Sequence, residues 1–546
     1  MPARPMATAG GGGGGGPPVP FAGDEGLFFH LRQYRGLNTR TVRTDIGDEE
    51  FSWLENLIPI ADGNMRAIWS NGATLYTAPG GKTIIYFKMF NIGAVQYAAL
   101  FLSDGTADQV DMNGVVTHIS TTPNTFYQGG GLPNAAQWGS SGLIIVGDVP
   151  NGYWAWDKTA GGTLYASGAA SPAWLNNGVA TTMPSGVKGT YVETYQSRAW
   201  VADGPVEHFS APGNGASFSG AAGGGSFTSN DSFLRVNFVA NKQSNGFLYL
   251  FGDSSINVIS NVQTSGSPLA TTFNNQNVDP QIGTPWPGSV QVFTGGRIVF
   301  ANPTGVFALY GGSAEKISNE LDGLFLKAVA NPVPSAAVHI IFEVRCYCLT
   351  LNVLDIFGIQ RVVMCCWDGR KWFLASQLNS LVLLDTQEIN TVITAWGSDG
   401  GRLFQLFQQA STQLNKILQS RLWQGASYLI IKQALRIYSL GTDFSNNGYA
   451  LAGTLDLLTE QGFRSTAVAL SSPLLPVIWL NNSNLVVNWV NNLAQAVTFV
   501  SQSFSLFGED AKGSAPLLGL TLQSKSSDFQ LSAISLLYRH QGPVGG

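Results

Sequence analysis

Charge is what this sequence has least of. Lys and Arg number 29 and Asp and Glu 34 in 546 residues, so 12% are charged where about 25% is usual. The net charge of −5 argues against a dedicated nucleic-acid binder, whose domain is basic, and against a highly charged free monomer. Cysteine is nearly as scarce. Four residues, Cys346, Cys348, Cys365 and Cys366, cannot staple a chain of this length, which points to synthesis in a reducing compartment. Long apolar runs are missing too: residues 473–480 (PLLPVIWL) hold two prolines and fall well short of the roughly 18 residues of a membrane helix. The opening MPARPMATAGGGGGGGPPVP has Gly and Pro where a signal peptide has its apolar core. The expectation is a protein neither inserted in a membrane nor exported by the usual route.

Catalytic and metal signatures are equally thin. PGGKT, with Gly80, Gly81, Lys82 and Thr83, has Tyr76 where a phosphate loop needs glycine and runs into IIYF rather than a helix, so a β-hairpin turn explains it better. Cys346-x-Cys348 and Cys365-Cys366 lack zinc knuckles and the five His are scattered, so buried small hydrophobes are the plainer reading. There is no G-x-S-x-G elbow. CCWDGRKWF resembles part of a sialidase Asp-box but lacks its Ser and occurs once, leaving Asp368 a turn residue. No catalytic, cofactor or metal residue is assigned, and the chain is read as a non-enzyme without cofactor.

What is abundant is glycine, 65 residues, with 31 Phe and 14 Trp. From about residue 97 a theme recurs: a short apolar strand, a Gly/Asp/Asn turn and a second aromatic strand. The units start at Tyr97, Gly142, Ser197, Gly246, Gly296, Arg345 and Gly401. A spacing near 50 residues reads as propeller blades. Alternation in RCYCLTL puts Cys346 and Cys348 on one strand face, opposite Tyr347 and Leu349, and lets only one of Cys365 and Cys366 join them. Within SAEKISNELDGLF, the residues Ile317, Leu321, Leu324 and Phe325 recur at helical spacing behind Ser313, which predicts a helix on the outside of a blade. The fold expected is all-β: a disordered Gly/Pro-rich arm (1–26), a segment leading into the propeller (27–96), propeller-like repeats (97–410) and a C-terminal sandwich-like β domain (411–546).

Two stretches are locally basic. Arg32, Arg35, Arg40 and Arg43 precede an acid-rich block with Asp45, Asp48, Glu49, Glu50 and Glu55. Arg402, Lys416, Arg421, Lys432 and Arg436 lie in a span without acids. Pairing within the chain or between copies is the plainer reading of these nine cations, and contact with DNA phosphates the sharper one.

The strand pair GFLYLFGDSSINVISNV, the pair GGRIVFANPTGVFALYGG, the following SAEKISNELDGLF, then FEVRCYCLTL and CCWDGRKWFLAS, together with ENLIPIADGNMRAI upstream, resemble the tail nozzle or hub proteins of short-tailed bacteriophages, of the packaged-DNA stabilisation or head-completion type. The likeness covers about residues 50–410, most clearly 246–377. It implies a structural virion protein of the phage tail: a homo-hexamer with a propeller and a second β domain, joined to the adaptor and portal rings and to needle, fibres or spikes. In the virion such a ring retains packaged double-stranded DNA and conducts it during DNA ejection. The alternative is a β-propeller enzyme or binding module acting on a host envelope glycan, with Trp154, Trp156 and Trp200 as stacking platforms and Asp148, Asp157, Asp203 or Asp368 as acids.

Overall fold

The computed structural model describes residues 26–543 apart from 62, 159–160, 229–236, 311, 390–391, 446–447, 472–478, 481–485, 488, 491–495 and 498–504. The expected N-terminal arm therefore lies outside the described residues except for Gly26.

Seven four-stranded antiparallel units follow one another at residues 84–120, 134–165, 191–228, 238–279, 291–316, 336–375 and 383–405. The seventh takes its fourth strand, Thr74–Thr77, from upstream of the first, with Tyr76 opposite Leu403. First strands of successive units pack side by side, and Leu383–Ile389 of unit seven packs on Ile84–Ile92 of unit one. This is a closed seven-bladed propeller-like ring. The second and third strands of a blade have a neighbouring sheet on both faces, so they read as continuous apolar runs: Gly142–Val146 (GLIIV) and Tyr153–Asp157 (YWAWD) are buried throughout. The fourth strands rim the ring, and in blade four Ala270–Asp279 alternates half-buried and exposed residues.

Each recurrent unit of the sequence falls in one blade, six of them on the second strand and the one at Gly401 just before the third strand of blade seven, Arg402–Gln405. Blade one starts at Ile84, inside the segment assigned to 27–96, because its axial strand precedes the repeat. PGGKT is no hairpin. It crosses from blade seven to blade one, with Gly80 and Gly81 at φ 55° and 76°, a left-handed backbone that glycine adopts without penalty, and Lys82 bonded to Asp104 at 2.7 Å.

The predicted helix is mostly something else. Ser313–Lys316 is the fourth strand of blade five, Asn319–Leu321 is a 3-10 turn, and only Asp322–Phe325 is α-helical. The helical spacing arises because the 3-10 turn and the single helical turn send Leu321, Leu324 and Phe325 into one core between blades five and six, with Ile317, just after the strand, packed against it. Thr39 fixes this turn, its backbone N–H donating to the Glu320 carbonyl at 2.6 Å and its Oγ1 accepting from Leu324 N–H at 3.1 Å.

The second domain is a sandwich built from both ends of the chain. One sheet runs Leu57–Ile60, Asn64–Ala67, Phe529–Pro543, Ile430–Asp443, Ser505–Ala515, with Leu27–Leu31 also on Phe529–Pro543. The other starts at Glu50–Glu55 and continues through Lys416–Ser420, Leu517–Ser524, Ala450–Thr459 and Gly462–Ser471. Residues 27–67 thus belong to the sandwich rather than leading into the propeller. Glu50–Glu55 also pairs in parallel with Trp372–Ala375, the rim strand of blade six, at Glu55 and Leu374. One core cluster accordingly runs from Leu54, Leu520 and Leu536 of the sandwich to Cys348, Cys366 and Phe373 of blade six and Phe404 of blade seven.

Between blades three and four, Glu207 is completely buried and accepts a hydrogen bond from Asn241 Nδ2 at 2.6 Å. Glu207 Oε2 and Asn241 Oδ1 both lack partners, and a proton on Glu207 supplies the donor this pair wants. Burial raises the Glu207 pKa far above the usual carboxylate range, against the lowering by Asn241. The folded state therefore holds a proton that the unfolded chain has lost above about pH 4.5, and stability falls as pH rises from there through the folded pKa. Glu207→Gln keeps the shape and brings its own donor. It is expected to gain in thermal midpoint relative to the parent on going from pH 5 to pH 7.5; parallel curves for the two proteins would refute the shared proton.

Candidate nucleic-acid face and axial chamber

Most of the nine candidate cations are used inside the chain. Arg43 donates to Asp456 at 2.6 Å and to the carbonyls of Ser420 and Leu520. Arg421 bonds Asp48 at 2.6 Å and the Thr44 carbonyl. Lys416, buried, donates to the carbonyls of Ser411 and Ser526, and Lys432, also buried, to those of Ser427, Ile430 and Pro516. Burial pulls both ammoniums down to about 8, and backbone oxygens take two donors of Lys416 and all three of Lys432. Arg402 pairs with Asp399 at 2.8 Å. These five are structural groups with their charge spent. Intrachain pairing of the N-terminal basic and acidic blocks is seen in Arg35 with Glu49 at 3.7 Å.

Arg32, Arg40 and Arg436 keep exposed side chains, and two of them share a surface. On the six-stranded sheet, Phe28 lies opposite Leu537, which lies opposite Arg436, while His30, Ser535 and Tyr438 form the next row of that face. His30 Nδ1 bonds Ser535 Oγ at 2.8 Å. Phe28 stacks on His30 at 5.2 Å, and the Arg436 guanidinium sits 5.6 Å from the Tyr438 ring. Arg32 follows the end of the strand, and Arg539, exposed, is held by Gln433. Asp510 approaches Arg436 no closer than 3.9 Å. Interleaved arginines and aromatic rings of this kind suit an anionic polymer. Arg539 was missed in the sequence because only strand pairing brings it beside Arg436.

The second site lies on the propeller axis. Two chambers, of about 120 and 340 Å³, share Tyr86, Lys88, Asn134, Tyr191 and Lys242 as lining. These come from the axial strands of blades one to four, and blade seven adds Asp385, Thr386 and Gln387. Strand alternation explains the set: every second residue of an axial strand faces the axis, as in Tyr86 and Lys88 or Tyr191 and Glu193. Lys88 bonds Asp385 at 3.3 Å, and Asp385 also accepts the Met89 N–H at 2.7 Å. Polar residues at alternate positions just before each apolar repeat, such as YVETY and VANKQS, are the signal that locates this site.

The remaining candidates resolve into packing. Trp154, Trp156 and Trp200 are buried, with Trp156 Nε1 on Gln109 and Trp200 Nε1 on the Tyr195 carbonyl, so they form blade cores and no sugar platform. Asp368 accepts the N–H groups of Arg370 and Lys371 as a turn residue, Asp148 holds Lys188, and Asp157 accepts from Trp174. Asp203 lies 3.9 Å from Lys188 and 3.7 Å from His208. Cys346, Cys348 and Cys366 share one core and Cys365 lies in another with Tyr347 and Leu349, the division that alternation predicts. All four are free thiols.

No protein-family model matches the chain, and no curated protein matches it. Among solved structures it is similar to BBS1N in complex with ARL6DN, at 8% identity over 63% of this chain and 98% of that one, with a TM-score of 0.37. It is also similar to the extracellular domain of BT4673 from B. thetaiotaomicron, at 10% identity over 78% and 54%, TM-score 0.37. A third is PorZ, a surface component of the type-IX secretion system of Porphyromonas gingivalis, at 8% identity over 88% and 73%, TM-score 0.30. All are distant, and the reading of the fold rests on the strand pairing given above.

Proposed function

We propose that the chain is a structural virion protein, a tail nozzle or hub subunit that assembles as a six-fold ring below the adaptor and portal and retains, then conducts, packaged double-stranded DNA. The observation that supports this reading is the combination of a propeller with a second β domain. Residues 246–377, which carry the resemblance, span blades four to six with the short helical turn between five and six. The axial chambers hold only about 120 and 340 Å³, too little for a duplex, so in this reading the DNA runs between copies and not through the propeller. The apolar tip of blade six, where Leu326, Phe357 and Ile359 are exposed, is available for subunit contact, and the Arg32, Arg436 and Arg539 face for transient phosphate contact.

Native mass spectrometry with negative-stain imaging tests the ring. Six-fold rings with a central opening are expected, and a monomer or dimer at high concentration would sink the proposal. The basic face has a separate test. Assembled rings should retain duplex DNA at low salt and release it near physiological salt, and Arg436→Glu with Arg539→Glu should lower the slope of log affinity against log salt by about 2, one per lost phosphate contact, with rings still forming. An unchanged slope would remove this face from the DNA path.

A further inference from the structure

We propose that the axial chamber of the propeller is a binding site for a small hydroxylated carboxylate, of the sugar-acid class, held by Lys242, Lys88 and Tyr191. This does not depend on the tail reading. The larger chamber, about 340 Å³, lies in the range of small-molecule pockets, roughly 300–1,000 Å³. The smaller one opens past Leu132 and Val333, both exposed.

Its walls offer more donors than the protein uses. Among the described residues, Lys242 Nζ and the Tyr191 hydroxyl have no hydrogen-bond or ion-pair partner, although both line the two chambers. Lys88 spends one bond on Asp385 and keeps two N–H groups. An ammonium that faces acids without bonding any of them is only partly compensated, and an oxyanion reaching Lys242, Lys88 and Tyr191 completes the compensation with charge-assisted hydrogen bonds. On the opposite side of the requirement, Glu193 lines the larger chamber, and its Oε1 is used only by the Thr194 N–H at 3.1 Å. That carboxylate calls for a donor on the ligand, which a hydroxyl supplies. The Gln387 amide, 4% exposed in the same wall, has neither its nitrogen nor its oxygen bonded. A bare carboxylate has no donor for Glu193, and a neutral sugar brings no charge to the lysines, so the occupant that suits both walls carries both functions.

The electrostatics agree with the geometry. Burial depresses the Lys242 ammonium, opposed by Glu193, and that of Lys88 stays above its ordinary value because Asp385 and its acidic neighbours outweigh burial. An arriving carboxylate would raise Lys242 as well.

Calorimetric titration of the full chain with D-glucuronate, with D-glucose as the neutral control, tests the site. Saturable one-to-one glucuronate binding is expected, at least tenfold tighter than glucose, weakened tenfold or more in Lys242→Met. Tyr191→Phe removes a single oxygen and should weaken binding severalfold, which keeps the test decisive if the lysine variant does not fold. Absence of saturable glucuronate binding, equal binding of glucose, or full affinity in Tyr191→Phe and in a folded Lys242→Met would each overturn the proposal.

Discussion

Glu55→Ala is expected to destabilise the protein by about 3–5 kcal/mol, the range seen when one partner of a buried ion pair is removed. Glu55 is 1% exposed and sits on the strand that joins the sandwich to blade six. Its carboxylate is fully engaged: Arg361 donates to both oxygens at 2.7 and 2.5 Å, Trp53 Nε1 to one at 2.9 Å and Ser376 Oγ to the other at 2.8 Å. Arg361 is itself shared with Asp355 at 2.8 Å. Removing the carboxylate leaves the guanidinium with Asp355 alone and strands an indole N–H at the domain junction, while the Coulomb gain from Glu55 that offset their desolvation is lost. Chemical denaturation gives the magnitude, and amide exchange along Glu50–Glu55 shows whether the junction opens first. The double replacement Glu55→Leu with Arg361→Met should recover only part of the loss, because the apolar pair leaves the Trp53 indole N–H without its acceptor and Asp355 without its cation. A single-variant cost below about 1 kcal/mol would mean that backbone pairing alone holds the junction.

Arg198→Ala should cost a similar amount, about 3–5 kcal/mol, by a different route. Arg198 is 2% exposed and binds no acid. Its guanidinium donates to the carbonyls of Ser210 and Gly223 at 2.5 and 2.7 Å, to Thr264 Oγ1, and to Thr271 Oγ1 at 3.0 Å. Four acceptors lose a donor, at about 1–3 kcal/mol for each one left unsatisfied when buried, and the sum comes down because the Gly223 carbonyl keeps the Thr271 hydroxyl at 2.6 Å and Thr264 and Thr271 keep each other at 3.1 Å. Thr264 and Thr271 lie near the tip of the hairpin formed by Ile256–Ser265 and Ala270–Asp279 in blade four, while Ser210 and Gly223 belong to blade three. Loosening should therefore start at the hairpin tip, as faster exchange or proteolysis around 264–271. Arg198→Lys is expected to rescue little, since an ammonium cannot span the fork that the guanidinium fills. Full stability in the lysine variant would show that charge rather than geometry is what the site requires.

How legible this molecule is depends on the range of the interaction involved. The blades are visible in the sequence because each central strand is walled on both faces by its neighbours, and runs such as LIIV and YWAW record that locally. The facing of Cys346, Cys348 and Cys366 follows from a period of two and needs no tertiary knowledge. The stretch from Ser313 to Phe325 misleads because apolar spacing is blind to backbone path when Ile317, a 3-10 turn and a single helical turn drain into one core. Arg43 is misleading in another way: its partner Asp456 is 413 residues away, so a local charge block says nothing about whether that charge is spent. The axial residues Lys88, Lys242 and Glu193 are obscured because a first strand mixes core-facing apolar residues with axis-facing polar ones, and only ring closure converges them.

The sandwich has a consequence for how the chain is made. Leu27–Leu31 finds its partner strand only at Phe529–Pro543, with Leu27 opposite Tyr538. At a synthesis rate of about 5–20 residues per second, the first strand waits roughly 25–100 s before its partner emerges. Through that interval Leu31 is without its partner strand, and Phe51 and Leu54, destined for the same core, gain long-range cover only as Trp372–Ala375 and Lys416–Ser420 emerge. The propeller between them can close early, since Thr74–Thr77 needs only blade seven. Between the emergence of Gln405 and that of Phe529, roughly 6–25 s at the same rate, the nascent chain thus holds a finished ring with an incomplete apolar sandwich, and chaperone demand and aggregation should concentrate in that window.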